Sequence, residues 1–254
     1  MPSEQEWQRD KQRFVAWWQR PTGEQARSVA DDRSGLWSPL ARQFADLGRD
    51  LLAATSAVEV LRRVVGAAAD TVLGTDLASV TLRGSQGLET VVRTDPRADG
   101  LDELQTRHGQ GPAVDATDPE GTGLCLSADT TVDWPDFGPG AAGSGVRSAL
   151  SVGIFPDSSR AAALTTCSRE PRGLAAANPD VAVVLAAFAA AALASTRATT
   201  GAQLRRTTLT EPLRSSVAVE RAIDLLTRKR HLPPEDVYDV LRNASAQLRT
   251  SRAG

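Results

Sequence analysis

Residues 76–94 constrain the fold most. The run DLASVTLR (76–83) alternates and carries β-branched residues, GSQG (84–87) turns, and LETVVRT (88–94) alternates again. Two such runs across a Gly-bounded turn read as an antiparallel hairpin. Helical stripes precede it. Residues 38–54 repeat apolar side chains at Leu40, Phe44, Leu47 and Leu51. Ser56 is suited to cap a second helix whose Val60, Leu61, Val64 and Val65 face inward. After the hairpin, residues 95–123 read as loop with some helix, 124–127 as a short strand and 134–139 as a turn. Residues 146–154 and 161–168 read as strands, and 179–206 as one long helix. Sequential strands with helices at either end predict an α+β domain around an antiparallel sheet.

The two ends extend this body. Residues 4–20 read as an amphipathic helix, with Trp7, Phe14 and Trp18 on one face. Packing on the body or on a partner subunit is expected of it, with a docking helix as the alternative. Pro21 ends it, and residues 21–35 read as a linker. The helix over 179–206 starts at Asn178 or Pro179 and is rich in Ala, which permits close helix–helix approach. A homodimer through this Ala-rich face is expected. Pro212 then interrupts it, and a helix joining a sensory core to an effector unit can transmit a change between them.

Charge sets the tail apart. Residues 201–254 hold 10 Arg or Lys against 6 Asp or Glu, whereas the preceding 200 residues hold 19 against 25. A basic end on an acidic body is the asymmetry of a nucleic-acid-contacting module; a solvated helical face is the alternative. Arg221, Arg228, Lys229 and Arg230 gather on one predicted helix, 217–230. They are suited to neutralise phosphates or stack on splayed bases, or else simply to complement a helix C-terminus. His231-Leu232-Pro233-Pro234-Glu235 reads as the turn into the next helix. Tyr238, at helical spacing with Leu241, reads as core rather than as a base-stacking platform.

Other chemistry is sparse. Cys125, Cys167, His108 and His231 are not at metal-ligand spacing, so no metal site is expected. Asp95, His108, Asp115, Trp134 and Arg147 form no recognisable catalytic set, and Gly109–Pro112 (GQGP) lacks the end of a phosphate loop. The chain is therefore not expected to be an enzyme. No cofactor is expected, haem included, since His108 and Cys125 sit in no haem motif. The N-terminus has no apolar signal region, and the apolar run 181–194 is too short and Ala-rich to span a bilayer. A cytoplasmic protein is expected.

Two resemblances sharpen the reading. Residues 40–195 resemble a GAF domain of actinobacterial regulators through Thr94-Asp95-Pro96, Leu101-Asp102-Glu103-Leu104-Gln105, Gly109-Gln110-Gly111-Pro112, Trp134-Pro135 and Val146-Arg147-Ser148-Ala149-Leu150-Ser151-Val152. Residues 213–247 resemble an ANTAR domain, a helical RNA-binding unit of transcription antiterminators, through Leu213, Glu220, Ala222, Leu226, Pro234, Leu241, Arg242, Ala244 and Ser245. Where ANTAR domains carry Ala-Lys-Gly, this chain has Ala222-Ile223-Asp224; where GAF domains place Glu and Cys around Gly-Pro, it has Gln110 and Ala113. The residues after Gln247 are too few for the family's third helix, so a shortened unit is expected.

The resemblance implies an N-terminal helix and linker (1–36), a GAF-like sensor (37–195), and a linker helix with a small all-α ANTAR-like unit (196–254). It implies RNA-binding antitermination under control of the sensor, with hairpin-loop RNA on Arg214, Arg221, Arg228, Lys229, Arg230 and Arg242 and an unidentified small ligand in the sensor. The alternative is a sensor or protein-interaction module that has lost RNA binding and uses its tail for dimerisation or docking. The first predicts a basic stripe across Arg214, Arg221, Arg228 and Arg242 with Ile223 buried. The second predicts exposed Ile223, Leu232 or Val237.

Overall fold

The computed structural model describes residues 2–19, 39–52, 54–157, 160–207 and 215–251. The linker expected over 21–35 lies outside them. Five strands, β1 (Leu77–Gly84), β2 (Gly87–Arg93), β3 (Leu124–Ser127), β4 (Ser148–Asp157) and β5 (Arg160–Ser168), form one antiparallel sheet in the order β2-β1-β5-β4-β3. The expected hairpin is the β1–β2 pair, with a register shift at Val80/Thr81. One row of the sheet runs Val92, Val80, Leu164, Val152, Leu124 across all five strands. Because side chains alternate along a strand, this row and its neighbours face one side while Leu77, Ala149 and Cys167 face the other.

The first side is covered by α3 (Ala57–Thr71) and α8 (Pro179–Ala194), and α2 (Pro39–Leu52) packs on both of these helices. Ser56 caps α3 by accepting from the Glu59 amide, as predicted. Asn178 caps α8 in the same way through the Asp180 amide. The second side is covered by α4 (Arg97–His108), α5 (Pro112–Ala116), α6 (Thr130–Asp133) and α7 (Gly138–Gly143). Helices thus take up more of 95–123 than the loop with some helix expected there, while residues 135–137 form the expected turn ahead of α7. No helix among the described residues is long and apolar enough to cross a membrane.

The long helix expected over 179–206 is corrected. α8 ends at Ala194, and a separate α9 (Gly201–Arg206) begins after Thr200. The Thr200 hydroxyl accepts from the Gln203 amide while Gln203 reaches back to the Thr200 amide, and this reciprocal cap starts a new helix rather than continuing the old one. The expected dimer seam is corrected with it. Every residue of α8 from Val181 to Leu193 is buried within this one chain, so its Ala-rich surface is already used.

The tail is part of the same core. α10 (Ser215–Asp224) runs into a π-helical turn (Leu225–Lys229), and α11 (Pro234–Ser251) follows. α10 packs on α8 and α2; α11 packs on α8, α2 and α1 (Glu4–Trp18). Ala222, Leu226, Val237, Leu241, Ala244 and Leu248 are fully buried in a cluster that also contains Phe44, Val64 and Phe188. α11 continues through Gln247, the position near which the third helix of ANTAR domains would begin.

Candidate functional site

The six cations expected to meet RNA separate into groups. Arg214 lies outside the described residues. Arg242 belongs to the α1–α11 contact. It bonds Glu4 at 2.7 Å and lies 4.7 Å above the Trp7 ring. Close by, the Tyr238 hydroxyl donates to Asp10 at 2.8 Å and Lys11 pairs with Asp239 at 2.6 Å. Burial, with Asp10 beside it, pushes the Tyr238 hydroxyl above its ordinary range, so it stays a neutral donor. Tyr238 is core, as its spacing predicts. Arg230 is likewise engaged: it bonds Asp180 in the first turn of α8 at 2.6 Å, and Asn178 beside it donates to Gln247 at 3.0 Å. These bonds fasten the tail to the body at both of its helices.

Arg221, Arg228 and Lys229 form the second group. They line one side of a cleft of 1390 Å³ with Glu220, Asp224 and Leu225. The β1–β2 hairpin supplies Arg83, Ser85 and Glu89, β4 supplies Ile154 and Phe155, and α8 supplies Ala186, Ala187 and Ala190. The π-helical turn explains the placing of Lys229. A wider turn shifts the helix phase, and here Lys229 lies 4.7 Å over the Phe155 ring and bonds the Pro119 carbonyl. Arg228 pairs with Asp224 yet stays largely in solvent. Arg221 is half-buried and makes no ion pair among the described residues.

The two discriminating expectations both fail as stated. Arg242 sits on the α1 side and Arg221 on the cleft side, so the described cations form no single stripe. Val237 is fully buried, and Ile223 and Leu232 pack partly buried against the core, so they make no apolar patch either. The sequence offered a signal for the second outcome: Ile223 and Val237 fall on the same apolar faces as Leu226 and Leu241.

The opposite face of the sheet is organised around Asp102, 5% exposed. It accepts from the Thr81 hydroxyl at 2.6 Å, the Thr90 hydroxyl at 2.5 Å and the Gln105 amide at 2.9 Å. Gln105 in turn accepts from the Ala113 amide at 2.8 Å. Burial raises the Asp102 pKa above its ordinary value of 3.8 against the lowering effect of these bonds. The Trp134 indole donates to Asp115 at 2.9 Å. His108 is exposed in the last turn of α4, and burial pushes both Cys125 and Cys167 up to about 12, keeping them as thiols. Asp129, held to about 2 by Thr131 and Arg147, and Asp95, held to about 2 by Arg97, are surface ion-pair acids.

No protein-family model and no curated protein matches the chain. Among solved structures it is similar to SdiA of Escherichia coli, at 13% identity and a TM-score of 0.40 over 76% of this chain and 69% of that one. It is also similar to CepR2 of Burkholderia cenocepacia, an N-acylhomoserine-lactone-dependent LuxR-family transcription factor, at 22% identity and a TM-score of 0.30 over 51% of this chain and 78% of that one. Likeness at this level does not extend to function.

Proposed function

We propose that this chain is a signal-responsive transcription regulator. In it a GAF-like sensor (37–195) controls an ANTAR-like tail (196–254) that binds RNA and causes antitermination in the cytoplasm, without catalysis. The observation that carries the reading is the shared core: Ala222, Leu226 and Leu241 of the tail pack with Phe188 of α8, so a change in the sensor reaches the cations without a linker. RNA contact then falls to Arg221, Arg228 and Lys229, because Arg230 and Arg242 are bound by acids of the body and of α1. Few free cations imply a shallow salt dependence, roughly −0.7 in log affinity per phosphate neutralised on a single strand.

The test is binding of a two-hairpin RNA to the full chain at several salt concentrations. Arg228→Ala with Lys229→Ala should weaken binding for all RNAs alike. Asp224→Ala should strengthen it, because it frees Arg228 and removes an acid. A double variant that binds as well as the parent would overturn the RNA reading. A second reading is favoured by the same ion pairs. With Arg230 and Arg242 spent on Asp180 and Glu4, the tail serves as a clamp in a sensor or interaction module that no longer binds RNA. Failure to retain RNA at low salt supports that reading.

A further inference from the structure

We propose that the cleft between the β1–β2 turn and α10 is a binding site for a small amphipathic acid, a molecule with one carboxylate or phosphate head on an apolar body. The inference does not depend on RNA contact. Three features of the cleft are independent of one another. Its open apolar lining comes from the half-buried Leu88 and Phe155, while Ala186, Ala187 and Ala190 of α8 with Leu82 and Ile154 also border it but are almost wholly buried. Its 1390 Å³ accommodates ligands of drug size, whose pockets span about 300–1,000 Å³. Its mouth carries Arg83, Arg221, Arg228 and Lys229 against Glu89, Glu220 and Asp224.

The acids at the mouth are mostly committed. Glu89 accepts from the Gly201 amide at 3.0 Å and faces Arg205 at 3.6 Å, and Asp224 pairs with Arg228. Arg83 bonds Thr117 at 2.9 Å, and Lys229 is held by Phe155 and Pro119. Arg221 is left half-buried in the cleft without an ion-pair partner among the described residues. A guanidinium there presents a planar fork suited to a carboxylate or phosphate, and partial burial strengthens such a bond. An apolar body then lies along Leu88 and Phe155. The π-helical turn, a feature often found at functional sites, closes the far end by carrying Lys229 onto Phe155.

The experiment is calorimetric titration of the full chain with decanoate, decanol and inorganic phosphate. Decanoate should bind one per chain, with decanol and phosphate roughly tenfold or more weaker. Arg221→Gln should weaken decanoate by roughly tenfold while leaving decanol binding and the melting temperature unchanged, and Arg221→Lys should keep part of the affinity. If Arg221→Gln fails to fold, the decanoate-to-decanol ratio and Arg221→Lys still decide. Equal binding of decanoate and decanol, decanoate binding indifferent to Arg221, or no decanoate binding overturns the proposal.

Discussion

Asp102 shows how one residue can organise a face of the sheet. It receives three side-chain donors, and Gln105 cannot turn its carbonyl toward them because that oxygen already accepts from Ala113. In Asp102→Asn the carbonyl can still accept from Gln105, but the amide donor then meets the Thr81 and Thr90 hydroxyls that donate to the carboxylate, so we expect a loss of about 1–3 kcal/mol. The pH dependence has a definite sign. A carboxyl whose folded pKa is raised takes up a proton on folding, so its contribution to stability grows as pH falls from that raised value toward 3.8. Asp95 and Asp129 act oppositely, losing their contribution only as pH falls from the ordinary range toward about 2. Thermal melts from pH 7 to pH 4 should show the parent gaining on Asp102→Asn as pH drops; a constant difference would contradict a titrating Asp102. The sequence marked this stretch as a motif but not its role. An acid and an amide in a stretch that reads as loop with some helix carry no signal of burial, and only the strands' Thr81 and Thr90 make them interior. Gly111 belongs to the same arrangement: at φ 135° a Cβ there would lie 2.5 Å from the Gln105 side chain.

At the scale of elements, periodicity made the strands and the helices before them legible to within a few residues. It failed where two helices abut. The Ala-rich run of α8 has no Pro before 212, so one helix seemed continuous, yet Thr200-Gly201-Ala202-Gln203 carries the spacing of a reciprocal N-terminal cap. Composition also misplaced α8. Small residues suit a seam between chains and a helix buried within one chain equally well, and the sheet and tail enclose this helix from Val181 to Leu193. Ala189, fully buried, distinguishes the two placements. Ala189→Leu should destabilise the chain by about 1–3 kcal/mol through overpacking. Thermal unfolding checks this, and an unchanged midpoint would return α8 to a surface role.

Across the whole molecule, the charge asymmetry of the sequence is real, but the fold spends part of it. Glu4 and Asp180 neutralise Arg242 and Arg230, and Trp7, Phe14 and Tyr238 pack together where α1 meets α11. Burial of Leu241 and Leu248 in the shared core stabilises the packing of α11 by roughly 1.5–3 kcal/mol per side chain. Which surface the tail covers was not legible, because an amphipathic helix states that it has an apolar face and not what meets it. The body and the tail share one core, and hydrogen exchange on the full chain tests this most directly. Amides of α11 should be protected to the same degree as those of α8, since both open only when the common core opens. Rapid exchange across α11 while α8 stays protected would contradict it.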